Sequence, residues 1–96
     1  MADSNGYKPS IMLTVPCKCY LCNRITDTAR HEIFFGTANR KNSKKHGLWV
    51  NVCPDCHRVV HADKITDLWL KQMGQRKYEL THTRDEFVKL FGRNYL

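Results

Sequence analysis

The chain has 96 residues and a formal net charge of +7, from 16 Lys and Arg against 9 Asp and Glu. This length allows one small domain, whose limited core a bound metal would help to stabilise. The charge favours a polyanionic partner, nucleic acid first and an anionic membrane surface second, and no apolar run approaches the roughly 20 residues of a membrane span.

The N-terminal part of the chain predicts little regular structure. Residues 1–6 are polar and do not resemble a signal peptide, so we expect a cytoplasmic protein. Gly6 and Pro9 break regular structure, which predicts a loose arm over residues 1–10. The short apolar run over residues 11–15 predicts a strand.

The cysteines form two CxxC pairs. Cys19 and Cys22 make the first, Cys53 and Cys56 the second, with thirty residues between them. Chance rarely produces two pairs at this spacing, so they predict a tetrahedral four-thiolate zinc site. The alternative is that they are simply buried, reduced cysteines. Cys17 could replace Cys19, but its spacing to Cys22 is less usual, and we treat it as a free thiol.

The middle of the chain begins with a predicted strand. Residues 31–35 follow a threonine-rich turn and are apolar enough for a half-buried strand. Alternation would place Ile33 and Phe35 on one face and Phe34 on the other. Gly36 ends the strand.

A polar, basic segment follows at residues 37–47, which we interpret as a loop in which a helical turn is possible. Residues 48–52 alternate and predict the second strand of a hairpin. Pro54 suits the first turn of a following helix. The basic side chains expected to contact phosphates are Arg40, Lys41, Lys44 and Lys45.

Two more helices are predicted in the C-terminal third. The first covers residues 65–73, with Gly74 as its C-cap, and residues 75–79 either form another turn or continue the helix. The last begins at the capping box from Thr83 to Glu86 and ends at Gly92. The expected core-facing residues are Ile65, Leu68, Trp69, Met73, Phe87, Val88, Leu90 and Phe91.

Three histidines predict a second metal site. His57 and His61 are four residues apart and share a helical face. If the first strand of the hairpin packs against the start of this helix, His31 joins them around one exchangeable cation. Imidazoles suit several transition metals, and magnesium is compatible with a mixed site. His46 and His82 lack partners in sequence, and we expect them at the surface.

An open metal site beside a basic segment suits phosphodiester hydrolysis. Such a site also needs a base that activates water. Glu32 is adjacent to His31, but strand alternation would point the two side chains to opposite faces unless the strand twists or ends there.

The segments that carry these motifs resemble the HNH (ββα-metal, His-Me finger) endonucleases, in particular the small bacteriophage and prophage versions. The resemblance covers roughly residues 17–62 by motif, and residues 85–96 are also similar to those proteins. It implies one catalytic divalent ion between hairpin and helix, and a structural zinc in members with paired CxxC motifs. The implied activity is metal-dependent DNA cleavage that leaves 5′-phosphate and 3′-hydroxyl ends. The matching segments are Cys19/Cys22, 31–36, Asn39-Arg40, Gly47-Leu48 and 53–61.

The resemblance also implies roles for individual residues. His31 matches a metal ligand, and Glu32 stands where a general-base histidine is usual. A carboxylate can take that role, so Glu32 is one candidate for the catalytic base and His31 is the other. His57 matches the final ligand of the family, with His61 as a further ligand or a support. Arg40 is the candidate to bind the scissile phosphate.

The family's bracing asparagine has no match at its usual position, which Leu48 occupies. Asn39 and Asn51 are the candidates for its role.

We therefore expect an α+β fold made of a single, zinc-stabilised ββα-metal domain over residues 1–96. An arm and short strand would occupy residues 1–16, the zinc knuckles and ββα core residues 17–62, and additional C-terminal helices residues 63–96. The expected function is a metal-dependent endonuclease acting on DNA in the cytoplasm of a bacterial host. Its catalytic ion would be Mg²⁺, Mn²⁺, Ni²⁺ or Zn²⁺, and phage terminase or packaging proteins are possible partners, with no membrane.

Two other functions compete with this one. The protein could be a non-catalytic, zinc-stabilised HNH-like module that binds nucleic acid or protein, which Glu32 in place of the usual base favours. It could also be a zinc-ribbon regulator of transcription. That function would explain the cysteines and the charge but not the three histidines.

Overall fold

A computed structural model describes residue 3 and residues 5–96 of the chain. The described part has an α+β fold, with a two-stranded antiparallel sheet and four helices. Within it, no helix combines the length and the apolar composition needed to cross a bilayer. The elements are β1 (Ala29–Glu32), α1 (Thr37–Lys45), β2 (Trp49–Val52), α2 (Pro54–Ala62), α3 (Lys64–Tyr78) and α4 (Arg84–Phe91).

The predicted hairpin and the helix after it are confirmed. β1 pairs antiparallel with β2, so that His31 lies opposite Val50 and Glu32 lies opposite Trp49. α2 begins with Pro54 in its first turn, where the missing N–H of proline costs no intrahelical bond. This fold is compatible with a small zinc-binding domain.

The segment 37–47 is not a loop, because most of it forms helix α1 between the two strands. Its alanine and long basic side chains favour helix, and the lysines of its last turn face the negative end of the helix dipole. The Asn42 amide donates to the Leu90 carbonyl (2.9 Å) and ties α1 to α4. The buried Ser43 hydroxyl accepts from the Phe34 N–H (3.0 Å) and donates to the Phe34 carbonyl (2.7 Å).

The first strand is shorter than expected. It ends at Glu32, whereas the apolar pattern predicts a strand over residues 31–35. The chain leaves the sheet here because both the N–H and the carbonyl of Phe34 form hydrogen bonds with the Ser43 hydroxyl of α1 and not with β2. As a result Ile33 and Phe34 are both fully buried. The predicted alternation, with Ile33 and Phe35 on one face, is therefore wrong.

The N-terminal segment is not a loose arm where the structure describes it; the prediction over residues 1–10 falls partly outside the described residues. The Lys8 N–H donates to the Lys44 carbonyl (3.0 Å), and the Trp49 indole N–H donates to the Lys8 carbonyl (2.7 Å). The Ser10 hydroxyl donates to the Trp49 carbonyl (2.6 Å). These bonds fix the segment across α1 and β2.

The predicted strand over residues 11–15 is also wrong, since residues 11–13 form bends and residues 14–15 have no regular structure. Its link to β2 runs through a side chain: the Asn51 N–H donates to the Thr14 hydroxyl (2.9 Å). The chain just before and at the start of this segment lies close to the turn before β2: a Cβ on Gly47 (φ +69°) would collide with the Pro9 carbonyl and lie 3.2 Å from the Ile11 nitrogen.

Helix α3 continues to Tyr78, which agrees with the helical alternative for residues 75–79, and Gly74 lies inside the helix and is not its C-cap. Gly74 is buried against the two residues that follow β1, since a Cβ there would lie 3.2 Å from the Ile33 side chain and 3.3 Å from that of Phe34. Because of this close approach, the face of α3 that contains Gly74 packs against the core. The face with the apolar residues predicted to be buried points elsewhere, and Ile65 is 81% exposed. The buried residues of α3 are Leu70, Gly74, Gln75 and Tyr78.

Helix α4 forms as predicted. The capping box between Thr83 and Glu86 is present, and Gly92 ends the helix in the left-handed conformation (φ +84°). The Phe87 and Phe91 rings lie 5.1 and 4.4 Å from the Phe34 ring between centroids, and all three are buried. This aromatic cluster joins α4 to the end of β1.

Candidate metal centres

Four cysteines converge at one end of the hairpin. Their sulfur atoms all lie within 4.8 Å of one another, and the Cys22 and Cys53 sulfurs are 3.9 Å apart. Sulfurs bound tetrahedrally to zinc at about 2.3 Å lie roughly 3.8 Å apart. The cluster of Cys19, Cys22, Cys53 and Cys56 could therefore hold a zinc ion, and the pairing of the two CxxC motifs is confirmed.

Backbone structure holds the two knuckles in place. In the first, the Cys19 N–H donates to the Arg24 carbonyl (2.9 Å) and the Asn23 N–H donates to the Cys19 carbonyl (2.8 Å). In the second, the Cys53 sulfur caps α2 and accepts from the Cys56 N–H (3.4 Å). This N–H-to-sulfur bond favours the thiolate form that a metal requires.

The thiols of this cluster differ in acidity. Burial alone would raise the pKa of Cys19, but backbone N–H groups of Cys53, Cys22 and neighbouring residues lower it to about 6. For Cys56, burial and the neighbouring sulfurs raise the pKa. Sulfurs packed this closely cannot all ionise without a cation among them. Cys17 is exposed and lies outside the group, as expected for a free thiol.

The three predicted histidines also converge. His31 comes from β1, and His57 and His61 are one turn apart on α2. Their ring centroids are 5.3 Å (His31–His57), 5.1 Å (His31–His61) and 4.9 Å (His57–His61) apart. One nitrogen from each lies within 4.8 Å of the others. The packing of the strand end against the helix start therefore brings them together as the sequence predicts.

His31 is the most enclosed of the three. It is 2% exposed, and its Nε2 atom is buried without a hydrogen-bond partner in the described part of the chain. Burial, together with the charges of His57 and His61, lowers its pKa to about 3. The ring is therefore neutral at physiological pH, which is the form that binds metals. A buried polar atom without a partner costs free energy, and a cation held by the three imidazoles would supply one.

Glu32 and His31 line the same pocket, although both belong to β1 and are neighbours on the strand. Glu32 Oε1 pairs with Arg40 Nε at 3.2 Å, and Oε2 accepts from the Tyr7 hydroxyl at 2.7 Å. Burial and the carboxylate raise the pKa of Tyr7 to about 12, so it donates at neutral pH. The pocket has a volume of about 210 Å³ and is lined by Arg30, His31, Glu32, Phe35, Arg40, His57 and His61.

The predicted basic residues lie on helix α1 and line a second pocket of about 340 Å³. Arg40 belongs to both pockets and joins the basic surface to the histidines. Its side chain is 59% exposed. We call these four residues the basic surface: Arg40, Lys41, Lys44 and Lys45.

Some predicted residues lie away from the histidine pocket. Asn51 bonds to Thr14 through its backbone and side-chain N–H groups, and neither it nor Asn39 lines that pocket. His82 is exposed, as expected, and stacks on Tyr78 with ring centroids 4.1 Å apart. His46 is half-buried, contrary to the prediction, because it packs edge-on against the same tyrosine.

Two other side chains that contact the hairpin or the residues just after it carry no signal in the sequence. Tyr7 lies 25 residues before its partner Glu32, in a segment that Gly6 and Pro9 make look irregular. Ser43 occurs in a run of polar residues that is typical of solvent-exposed segments. Only the folded chain brings these side chains to the hairpin.

Comparisons with protein-family models, with curated proteins and with solved structures find no match to this chain. The chemistry of the two centres therefore has to follow from their own side chains.

Proposed function

We propose that the protein is a metal-dependent endonuclease of the HNH type, which hydrolyses phosphodiester bonds in DNA. The observation that carries this proposal is the buried, unpartnered Nε2 of His31 within a cluster of three imidazoles. A zinc-stabilised scaffold needs only the four cysteines. Three histidines around a pocket that also contains Glu32 and Arg40 indicate chemistry beyond stability.

His31, His57 and His61 would hold the divalent ion. When bound, such an ion polarises the scissile phosphate and stabilises the negative charge on the leaving oxygen. His31 is suited to ligation rather than to proton transfer, since it is buried, neutral and enclosed by the other two imidazoles. That leaves Glu32 as the proton acceptor of the pocket.

Glu32 would take a proton from the attacking water as the water oxygen forms its bond to phosphorus. The bond from phosphorus to the 3′ oxygen breaks, and this oxygen takes a proton from solvent. The products are a 5′-phosphate and a 3′-hydroxyl. Glu32 Oε2 already accepts a hydrogen bond from Tyr7 and Oε1 is ion-paired with Arg40, but an ionised carboxylate has about four lone-pair sites.

Arg40 would bind the scissile phosphate. Its Nε faces Glu32, which leaves its terminal N–H groups free to form the paired hydrogen bonds that suit phosphate. Because Arg40 also belongs to the basic surface on α1, a DNA backbone that follows this surface leads directly to the histidine pocket. The net charge of +7 supports binding of the polyanion.

The test is a nicking assay on supercoiled plasmid, with Mg²⁺, Mn²⁺, Ni²⁺ or Zn²⁺ added to zinc-loaded protein and a chelator as the control. We expect metal-dependent nicking by the wild type and by His82→Ala, an exposed histidine outside the cluster. His57→Ala should not nick, although its thiolate zinc and fold remain. The proposal is wrong if the wild type fails to nick DNA with every one of these metals, both alone and together with phage packaging proteins.

The second candidate is a non-catalytic module that binds nucleic acid through the same basic surface. One observation favours it: Tyr7 and Arg40 already occupy both oxygens of the carboxylate that should act as base. A protein that binds DNA with the expected salt dependence but never nicks it would be of this kind.

A further inference from the structure

The N-terminal segment brings a side chain to the edge of the histidine pocket. The backbone of Tyr7 is fixed from its N-terminal side, where its N–H donates to the Asp3 carboxylate (3.0 Å). On the other side, Lys8 bonds both to the end of α1 and to the Trp49 indole. Tyr7 is therefore held by contacts to separate elements of the fold.

The ring of Tyr7 is held as firmly as its backbone. It packs edge-on against Trp49, with centroids 5.6 Å apart. The Arg30 guanidinium lies 4.4 Å from the ring centroid and the Lys44 ammonium lies 4.8 Å from it. Such cation–π contacts stabilise a ring in one orientation, and here that orientation points the hydroxyl at Glu32.

The hydroxyl of Tyr7 donates to Glu32 Oε2 at 2.7 Å, while Arg40 holds Oε1. The Glu32 side chain is 13% exposed. The hydrogen bond to one oxygen and the ion pair to the other come from different parts of the chain, and together they hold the carboxylate in place. Without the hydroxyl, Arg40 alone would hold it, and Arg40 is also the group that is expected to bind phosphate.

We propose that Tyr7 is a positioning residue: its hydroxyl holds the Glu32 carboxylate in the orientation from which it takes the proton of the attacking water. This inference rests on the proposed function and extends its site to the N-terminal segment. Tyr7 acts through Glu32 and does not contact the substrate.

The test is Tyr7→Phe in the plasmid-nicking assay. This change removes one oxygen and keeps the ring that packs against Trp49 and Arg30. Because a misplaced base slows the chemical step without changing how DNA binds, kcat should fall about tenfold. The KM for DNA and the metal content of the histidine site should not change.

Two further variants separate positioning from general stability. Ser10→Ala removes a different anchor of the same segment, the bond to the Trp49 carbonyl, and should leave kcat unchanged. Tyr7→Phe added to Glu32→Gln should cause no further loss, because a residue that acts only through Glu32 has nothing left to position.

The outcomes distinguish this inference from the proposed function. If the wild type nicks DNA and Tyr7→Phe nicks at the same rate, the inference is wrong and the proposed function stands. The inference is also wrong if Ser10→Ala loses as much activity, or if Tyr7→Phe lowers the rate further in the Glu32→Gln background. A wild type that never nicks overturns both.

Discussion

At the scale of single residues, two neighbours at the end of β1 have different tasks. His31 is buried and neutral, with a nitrogen that lacks a partner in the described part of the chain, so it is suited to bind a metal. Glu32 lines the same pocket and is held by Tyr7 and Arg40, so it is suited to accept a proton. Both side chains line one pocket although they are neighbours on β1.

The division of tasks predicts the effect of Glu32→Gln. This change keeps the shape of the side chain and removes its basicity, so the nicking rate should fall by roughly two to four orders of magnitude. Metal binding by the histidines should remain, since Glu32 is not among the three clustered ligands. Single-turnover nicking and metal analysis of the same preparation measure the two effects.

Glu79→Gln is the matched control, because Glu79 pairs with Arg84 away from the pocket, and it should nick at the wild-type rate. An unchanged rate in Glu32→Gln would show that Glu32 is not the base. Loss of the second metal in that variant would show that Glu32 is a ligand instead.

At the scale of elements, α2 serves both metal centres. Cys53 and Cys56 lie at its start, and His57 and His61 continue along it. The remaining thiolates come from the first knuckle, while the remaining imidazole, that of His31, comes from β1. A zinc ion held by the four cysteines would therefore anchor the start of the helix that carries two of the three histidines.

This arrangement predicts a one-way dependence between the two centres. Cys56→Ser should lose zinc and lower the free energy of unfolding by at least about 3 kcal/mol, or roughly 12 °C or more in Tm. Because α2 is then no longer anchored, affinity for the second metal should fall as well. Thermal unfolding and metal titration of the variant measure both losses.

Cys17→Ser is the control, since Cys17 is exposed and outside the cluster, and it should behave like the wild type. His57→Ala tests the opposite direction and should leave the zinc bound. Full retention of zinc and stability by Cys56→Ser would disprove the four-thiolate assignment.

The two metal centres could be predicted from the sequence because ligand identity and spacing specify them. The CxxC pairs and the helical spacing of His57 and His61 are local, and the hairpin brings in His31. The inward face of α3 could not be predicted, since it depends on the close approach of Gly74 to Ile33. The shortened strand, the helical form of α1 and the role of Tyr7 depend likewise on contacts between distant segments.

At the scale of the whole molecule, four of the positively charged side chains are grouped on one helix, α1. The basic surface on α1 lines one pocket and reaches the histidine pocket through Arg40. Charges on such a surface bind phosphates without reading base sequence. The rest of the positive charge adds only a general attraction, which salt screens.

The basic surface predicts the salt dependence of DNA binding. Changing Lys41, Lys44 and Lys45 together to Gln should weaken binding to all sequences. It should also reduce the slope of log K against log salt by about 0.9 for each lysine that contacts a phosphate. Fluorescence anisotropy with a labelled duplex at several salt concentrations measures this slope.

A matched control removes the same charge elsewhere, with Lys64, Lys77 and Lys89 changed to Gln, none of which lines either pocket. Its slope should stay close to that of the wild type. Equal slopes in the two triple variants would show that the lysines of α1 are ordinary solvent-exposed side chains.

The central claim is that His31, His57 and His61 hold the divalent ion on which DNA cleavage depends. The most direct measurement titrates Mn²⁺ into zinc-loaded protein while metal occupancy and the rate of plasmid nicking are recorded together. We predict one further ion per chain, a nicking rate that rises in proportion to its occupancy, and loss of both in His57→Ala. The claim would be contradicted by nicking at Mn²⁺ concentrations too low to fill this site. It would also be contradicted by a fully occupied site without nicking.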